Sequence, residues 1–575
     1  MLEVEEDGPA VPPTIQALLA ARVDQLDVSQ RRAVECASVV GQQFWSGAVR
    51  ALSDDDAAIG RALIDLVRLE FVVPDESVTF PDEDSFRFVH ILVRDAAYEA
   101  IPKEVRSELH ERFAAWIERK DEEQAAQHEE IVGHHLEQAF RCLEELGLAN
   151  VRSRLLSEQA AERLLSAGLK AFARDDMPAA ANLFSRAVRL LPRHDPVRLN
   201  ALPDLAEALI GVGELARARE VLDEALRDAR AAGDRRAEAH AEIAGEELLL
   251  MTDPEGVVER IPGMTAEAIR IFDEFGDDVG LARAWQLSSL VGWMRCRFAE
   301  SAGALERALV HAKRADDRRR VADLRGRFMR ALGAWPAPVD QVLRRCREML
   351  DEVKGDLVAE AALLYEVALL EAYRGNFAKA LEVAARDESI STELGLPLAL
   401  ATSKNLSAKV AMVAGGSAAA ERKWRESCDI FMEMNERSLL STRAAELAEK
   451  ALYVQGKYDE ADHFARLGRE TGASDDIETQ ARWRAAQAKV LARRGELEAA
   501  ERLALEAVEL VEPTDHRELQ GDVLMDMAEV FRLASRSEDA VSAARRAQEM
   551  YGAKGMIVSA REAETFIEEL TASVP

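Results

Sequence analysis

The chain has 575 residues, too many for one hydrophobic core, which leaves two or more domains or a solenoid. Ala, Leu, Glu and Arg dominate, aromatics make up 5% and hydrophobic residues 48%, a composition that favours helices and excludes a disordered chain. The formal net charge of −31 argues against a nucleic-acid partner, and no apolar run reaches the ~20 residues that a membrane span needs.

Five cysteines (Cys36, Cys142, Cys296, Cys346, Cys428) lie far apart, without any CxxC, as expected of reduced thiols in a cytoplasmic protein. Residues 1–12 form an acidic tail with none of the basic, apolar character of a signal peptide. After Pro12 and Pro13 a helix is predicted from Thr14 to Leu26, and Asp27 with Gln30 caps a second one that runs to Val40. Short helices follow at Ser46–Leu52 and, capped by Ser53, at Asp54–Leu69. The period then changes. Phe71-Val72-Val73-Pro74 and Phe86-Arg87-Phe88-Val89 read as two strands of a hairpin, before helices resume at Ile91–Ala100 and Lys103–Arg119. Helices followed by a two-stranded wing predict a winged-helix-like domain over residues 13–120.

Residues 121–160 read as a helical connector. Its run His128-Glu129-Glu130-Ile131-Val132-Gly133-His134-His135 lacks HExxH, because Val132 stands where the second histidine would be. His128 and His135 share a helical face, and Glu130 with His134 makes an i,i+4 pair, so a helix is expected here and no metal site.

From residue 161 to 575 one short pattern recurs: a small residue, an apolar residue two on, and a second small residue five on. It occurs at Asp175 to Ala180, Gly213 to Ala218, Cys296 to Ser301, Gly375 to Ala380, Gly456 to Ala461 and Gly495 to Ala500. Weaker copies sit at Gly415 to Ala420 and Ser535 to Ala540, and gaps near Pro254 and Trp335 complete a ladder with steps of 38–42 residues. A residue able to adopt the left-handed conformation ends one helix, and the small residue lets the next pack close to it. Twelve positions before the second small residue stands another (Gly168, Ala206, Ala368, Ala408, Ala488, Ala528). Seven after it a third often follows (Ala187, Ala225, Ala308, Ala507, Ala547). This is the tetratricopeptide (TPR) pattern, carried best by Ala161 to Pro192. The predicted fold is therefore all-α, a winged helix followed by an α-solenoid of TPR-like hairpins, with Ile557 to Leu570 as its capping helix.

The runs VPPTIQALLAARVDQLD (11–27), CASVVGQQFW (36–45) and FRFVHILVRDAAYEAIP (86–102) resemble the segment that follows the ATPase core in STAND-type signalling NTPases. Some members of that family also carry a class III adenylyl/guanylyl cyclase domain, and others a LuxR-type DNA-binding domain. The resemblance implies regulation: a winged helix that locks the ADP-bound state and a repeat arm that senses an inducer or partner. It also places His90, which follows the second wing strand, as a nucleotide sensor, because an imidazole can donate to a phosphate oxygen. A histidine that caps the next helix or packs under the wing is the alternative. Arg94, one turn later, can pair with phosphate or with Asp95 or Glu99.

The departure from the family is as informative. No GxxxxGK[ST] occurs, so no catalytic residue is assigned, no cofactor is expected, and ATP or ADP enters only if another chain supplies an ATPase domain. The expected function is that of a non-catalytic regulator that binds a protein or small-molecule inducer in the repeat groove. One alternative is the regulatory arm of a separately encoded ATPase or cyclase. A transcriptional regulator is the other, and charge speaks against it: residues 1–120 carry 23 acidic and 13 basic side chains, and the would-be recognition helix begins Asp54-Asp55-Asp56.

Overall fold

The computed structural model describes residues 13–53, 56–75, 80, 83–120, 128–353 and 357–572. It divides into two compact units, Met1–Lys170 with Asn182–Arg198, and Ala171–Ala181 with Leu199–Pro575.

The first unit opens with α1 (Pro13–Asp24), α2 (Val28–Val40), β1 (Gln43–Trp45), α3 (Ser46–Leu52) and α4 (Asp56–Arg68). It continues through β2 (Val72–Asp75), β3 (Ser85–Phe88), α5 (Ile91–Ala100), α6 (Lys103–Lys120) and α7 (Glu129–Glu145). Asp27 caps α2: its carboxylate accepts from the N–H groups of Ser29 and Gln30, and the Gln30 side chain returns to the Asp27 N–H. The sheet has three strands in the order β1-β3-β2, all antiparallel, so the predicted hairpin gains a strand. Three residues are too short to show alternation, and β1 exists because Phe44 pairs with Phe86 and buries its ring between Phe86 and Phe88. Asp54 and Asp55 lie outside the described residues.

Ten helical hairpins follow in the chain. They are α8 (Val151–Ala173) with α9 (Met177–Leu190), α10 (Pro196–Gly211) with α11 (Leu215–Ala232), and α12 (Arg235–Thr252) with α13 (Val257–Phe275). Next come α14 (Asp278–Met294) with α15 (Phe298–Arg314), α16 (Arg318–Ala334) with α17 (Val339–Glu352), and α18 (Leu357–Tyr373) with α19 (Phe377–Leu394). The last four pairs are α20 (Pro397–Val413) with α21 (Ser417–Met434), α22 (Arg437–Glu446) with α23 (Tyr458–Thr471), α24 (Ile477–Arg493) with α25 (Leu497–Val511), and α26 (Arg517–Leu533) with α27 (Ser537–Lys554). A π-helical turn, Leu447–Leu452, prolongs α22, and α28 (Ile557–Ala572) ends the series. This is a TPR-like α-solenoid.

The small residues of the ladder are where the helices touch. Ala206, Ala218, Ala368, Ala380, Ala408, Ala488, Ala500 and Ala528 are all fully buried. At Gly168 the contact is so close that a Cβ would meet the ring of Phe184 at 2.7 Å. Every predicted turn residue has positive φ, including the non-glycines Asp175, Cys296 and Ser535. The two gaps are turns of another kind: Pro254 and Gly256 connect α12 to α13, and Trp335 to Pro338 connects α16 to α17.

In the second unit first helices pack on first helices, as α16 does on α18, α18 on α20 and α24 on α26, and the stack winds with that face inward. Its turns then meet residues more than 200 positions away. The Asp515 carboxylate accepts from the N–H groups of Phe298 (2.8 Å) and Ala299 (3.0 Å), the first residues of α15. Glu255 accepts from the Ser474 N–H (2.9 Å) and hydroxyl (2.5 Å), and the Lys554 ammonium donates to the Trp335 carbonyl. These three contacts span 217 or 219 residues, one full coil of the array. Successive coils thus touch along a seam. Asp515 supplies the helix cap that Arg297, at the N-cap of α15, does not. Asp515→Ala is expected to cost about 1 kcal/mol there, seen as roughly fivefold faster amide exchange at Phe298 and Ala299 with exchange in the first unit unchanged.

Candidate functional site

His90, the residue implied as a nucleotide sensor, sits at the N-cap of α5 with an exposed side chain. Its carbonyl accepts from the Val93 N–H at 3.0 Å, but the imidazole makes no capping hydrogen bond, so it is not the capping side chain of the alternative reading. Arg94 takes the other course open to it. Its guanidinium donates to the Ser38 carbonyl and to Asp95 (both 2.9 Å) and lies over the Tyr98 ring.

Among the described residues, the connector histidines included, no group of three or more ligands is placed for a metal ion. Of these histidines, His135 enters a buried hydrogen-bond chain that joins α5, α6 and α7 through Tyr98 and His110. Tyr98 Oη lies 2.8 Å from His110 Nε2, and His110 Nδ1 lies 2.8 Å from His135 Nδ1. The Nδ1–Nδ1 contact requires one ring to be a bare acceptor, so the two imidazoles cannot both carry charge. Burial pushes His110 down to about 3, with further pressure from His134, Arg94 and Arg106, and pushes His135 well below the usual range. His134 falls to about 4 through burial and the nearby Arg186. Glu137, 2% exposed, anchors the same region by accepting from Arg141 (2.5 Å) and Arg186 (2.6 Å). His128 stacks edge-on against Phe80.

In the second unit the first helices carry a lattice of charges. Arg482, fully buried, donates to Glu478 and Glu449 (both 2.9 Å) and lies 3.4 Å from Asp522 and 3.8 Å from Glu446. Burial alone would favour a neutral guanidinium, but these carboxylates outweigh it and hold Arg482 well above its ordinary value. Arg443 (2.8 Å) and Lys409 (2.9 Å) close on Glu446, and Lys450 reaches Asp522 at 2.6 Å. Two of these groups, Glu449 and Lys450, lie in the π-helical turn. A second cluster surrounds Glu207 of α10, which accepts from Arg319 (2.7 Å), Arg320 (2.8 Å) and Arg283 (3.2 Å). It joins hairpins that are not neighbours in the chain. Glu366 of α18, 4% exposed and without an ion pair among the described residues, is pushed up to about 8 by burial.

No periodic signal marks Arg482 or Glu207 in the sequence, where helical Arg and Glu are too common to single out. The five cysteines are all buried and none is in a disulfide, and no described helix is long and apolar enough to cross a membrane.

No family model matches the chain, and none of the curated proteins matches it either. Among solved structures it is similar to a Rap protein complexed with competence and sporulation factor, at 15% identity and a TM-score of 0.45, over 65% of this chain and 99% of that one. It is also similar to the APC/C hetero-tetramer Cut9–Hcn1, at 12% identity and a TM-score of 0.47, over 83% of this chain and 95% of that one. A third is a signal transduction ATPase with numerous domains and a tetratricopeptide repeat sensor from Pyrococcus horikoshii. There the identity is 13% and the TM-score 0.27, over 98% of this chain and 68% of that one. With every one of these scores under 0.5, the description of the array rests on its own hairpins.

Proposed function

We propose that this protein is a non-catalytic regulator whose repeat array binds a protein or small-molecule partner on its inner, first-helix wall. In this reading the first unit is a winged-helix-like module of the STAND type. The single observation that carries the proposal is that wall: charged side chains, many of them buried, ranged along first helices that stand side by side. The innermost of these charges pair with one another, and the part-exposed ones, Lys450 and Glu207 among them, offer directional, charge-assisted contacts that suit a polar partner. His90, exposed beside the sheet, is the residue through which the first unit would meet a nucleotide held by an ATPase domain of another chain.

Two measurements test this. Affinity capture with the full chain, followed by cross-linking, is expected to place a partner's contacts on first-helix residues such as Lys450; contacts confined to the first unit would sink the proposal. Calorimetric titration of the chain alone with ADP or ATP is expected to give no saturable heat. Saturable binding that disappears in His90→Ala would instead make this chain a nucleotide receptor in its own right.

A further inference from the structure

Two kinds of contact hold the second unit together, and they differ in chemistry. Neighbouring helices pack through buried small residues such as Ala218, Ala380 and Ala500, and this packing follows the chain from hairpin to hairpin. Coil meets coil differently. The turn inside one hairpin touches, in the next coil, the end of a second helix or the turn that follows it. The steps are Gly213 with Met434, Glu255 with Ser474, Cys296 to Ala299 with Asp515, and Trp335 with Lys554. The last three are polar. At the 296 step the Asp515 N–H also donates to the Cys296 carbonyl, at 3.2 Å. The apolar contacts beside the steps are single side chains: Met434 by Gly213, Val339 by Gly555, and the His516 ring against Phe298 at 4.9 Å. Helices also approach across the seam, α12 on α22 and α18 on α28. Inside the coil, opposite walls meet as well, since Arg320 of α16 reaches across to Glu207 of α10 at 2.8 Å. With the coils closed, the inner wall is occupied by its own side chains.

We infer that the seam is a latch, which holds the array wound over its own inner wall and whose release unwinds the coils and uncovers that wall. The wall is the one proposed above to bind a partner, and the latch would regulate access to it; only this consequence rests on that reading. Release breaks contacts between turns and leaves the small-residue packing of neighbouring hairpins intact, so the helices survive it. A small rotation at each hairpin adds up along the array. A few polar contacts at the seam therefore decide a large change in winding.

Cys296 reports the state of the latch without any partner. It is fully buried in the α14–α15 turn, against the next coil. Burial pushes its thiol well above the usual range, and Glu478 and Asp476 of the next coil push it the same way, so it reacts little until the coils part. In the full chain, Asp515→Ala combined with Glu255→Ala is expected to speed alkylation of Cys296 roughly tenfold, mapped by mass spectrometry. Cys36, Cys346 and Cys428 are expected to keep their wild-type rates. X-ray scattering by the same variant is expected to show a longer maximum dimension, with far-ultraviolet circular dichroism unchanged. Labelling of Cys296 at the wild-type rate overturns the latch, as do unchanged dimensions. Labelling of all five cysteines together, or lost helicity, would mean that the seam holds the fold and not the winding, and overturns it equally. The inner-wall reading fails separately: an opened array on which cross-linking finds no partner would support the latch and sink that reading.

Discussion

Replacing Arg482 by methionine is expected to lower the stability of the second unit by ~3–5 kcal/mol. The guanidinium is fully buried, and it joins carboxylates from α22, its π-helical extension, α24 and α26. Methionine fills much of the same volume, so the loss comes from stranding Glu449 and Glu478 without their cation and little of it from a cavity. The pH dependence distinguishes this cause from a packing defect. In the wild type Glu446, Glu478 and Asp522 are held below the usual carboxylate range: burial alone would raise them, but the surrounding cations prevail. Their contribution is full above the unfolded value near ~4 and is lost as pH falls through the lower, folded values. In Arg482→Met the guanidinium no longer opposes burial at Glu478, so its folded value is expected to rise and acid to relieve it. The deficit between variant and wild type therefore shrinks as pH drops from 7 toward 5. Thermal melts of both proteins across that range check it; a deficit that stays constant would point to packing alone.

Mild acid is expected to unfold the first unit before the second. His110 and His134, pushed down to about 3 and about 4, and His135, also well below its ordinary value, are neutral in the folded state. The unfolded chain takes up protons on these rings near pH 6.5, so stability is full above that value and falls as pH drops toward the folded values. Each ring contributes a slope of ~1.4 kcal/mol per pH unit between its unfolded and folded values, and three such rings acting together exceed the effect of any surface ion pair. Trp116, stacked on Phe113 and Trp45 beside this cluster, reports the loss by fluorescence. His110→Phe, which keeps the ring volume and removes one titrating group, is expected to flatten the slope below pH 6; an unchanged slope would place the acid sensitivity elsewhere.

How much of this was legible differs between the two units. The ladder was readable because a helical hairpin needs a left-handed turn residue and a small residue at fixed offsets, and both needs are local. The turns that escaped the pattern, at Pro254 and Trp335, are those that proline chemistry builds without that signature. Strand β1 escaped because three residues held by partners 40 to 44 positions away leave no local trace. Resemblance singled out His90 as a candidate but not His110, which becomes notable only because α7 brings His135 to it.

The sequence by itself determined the helices, their pairing into hairpins and the period of the stack, since each follows from backbone conformation and contacts within about forty residues. Only the tertiary structure decided which charges are buried together and where one coil rests on the next. Arg482 meets Asp522 and Asp515 meets Phe298 because the winding of the array carries them there. That winding is the sum of many small rotations between neighbouring hairpins, set by the packing of side chains that individually carry no signal.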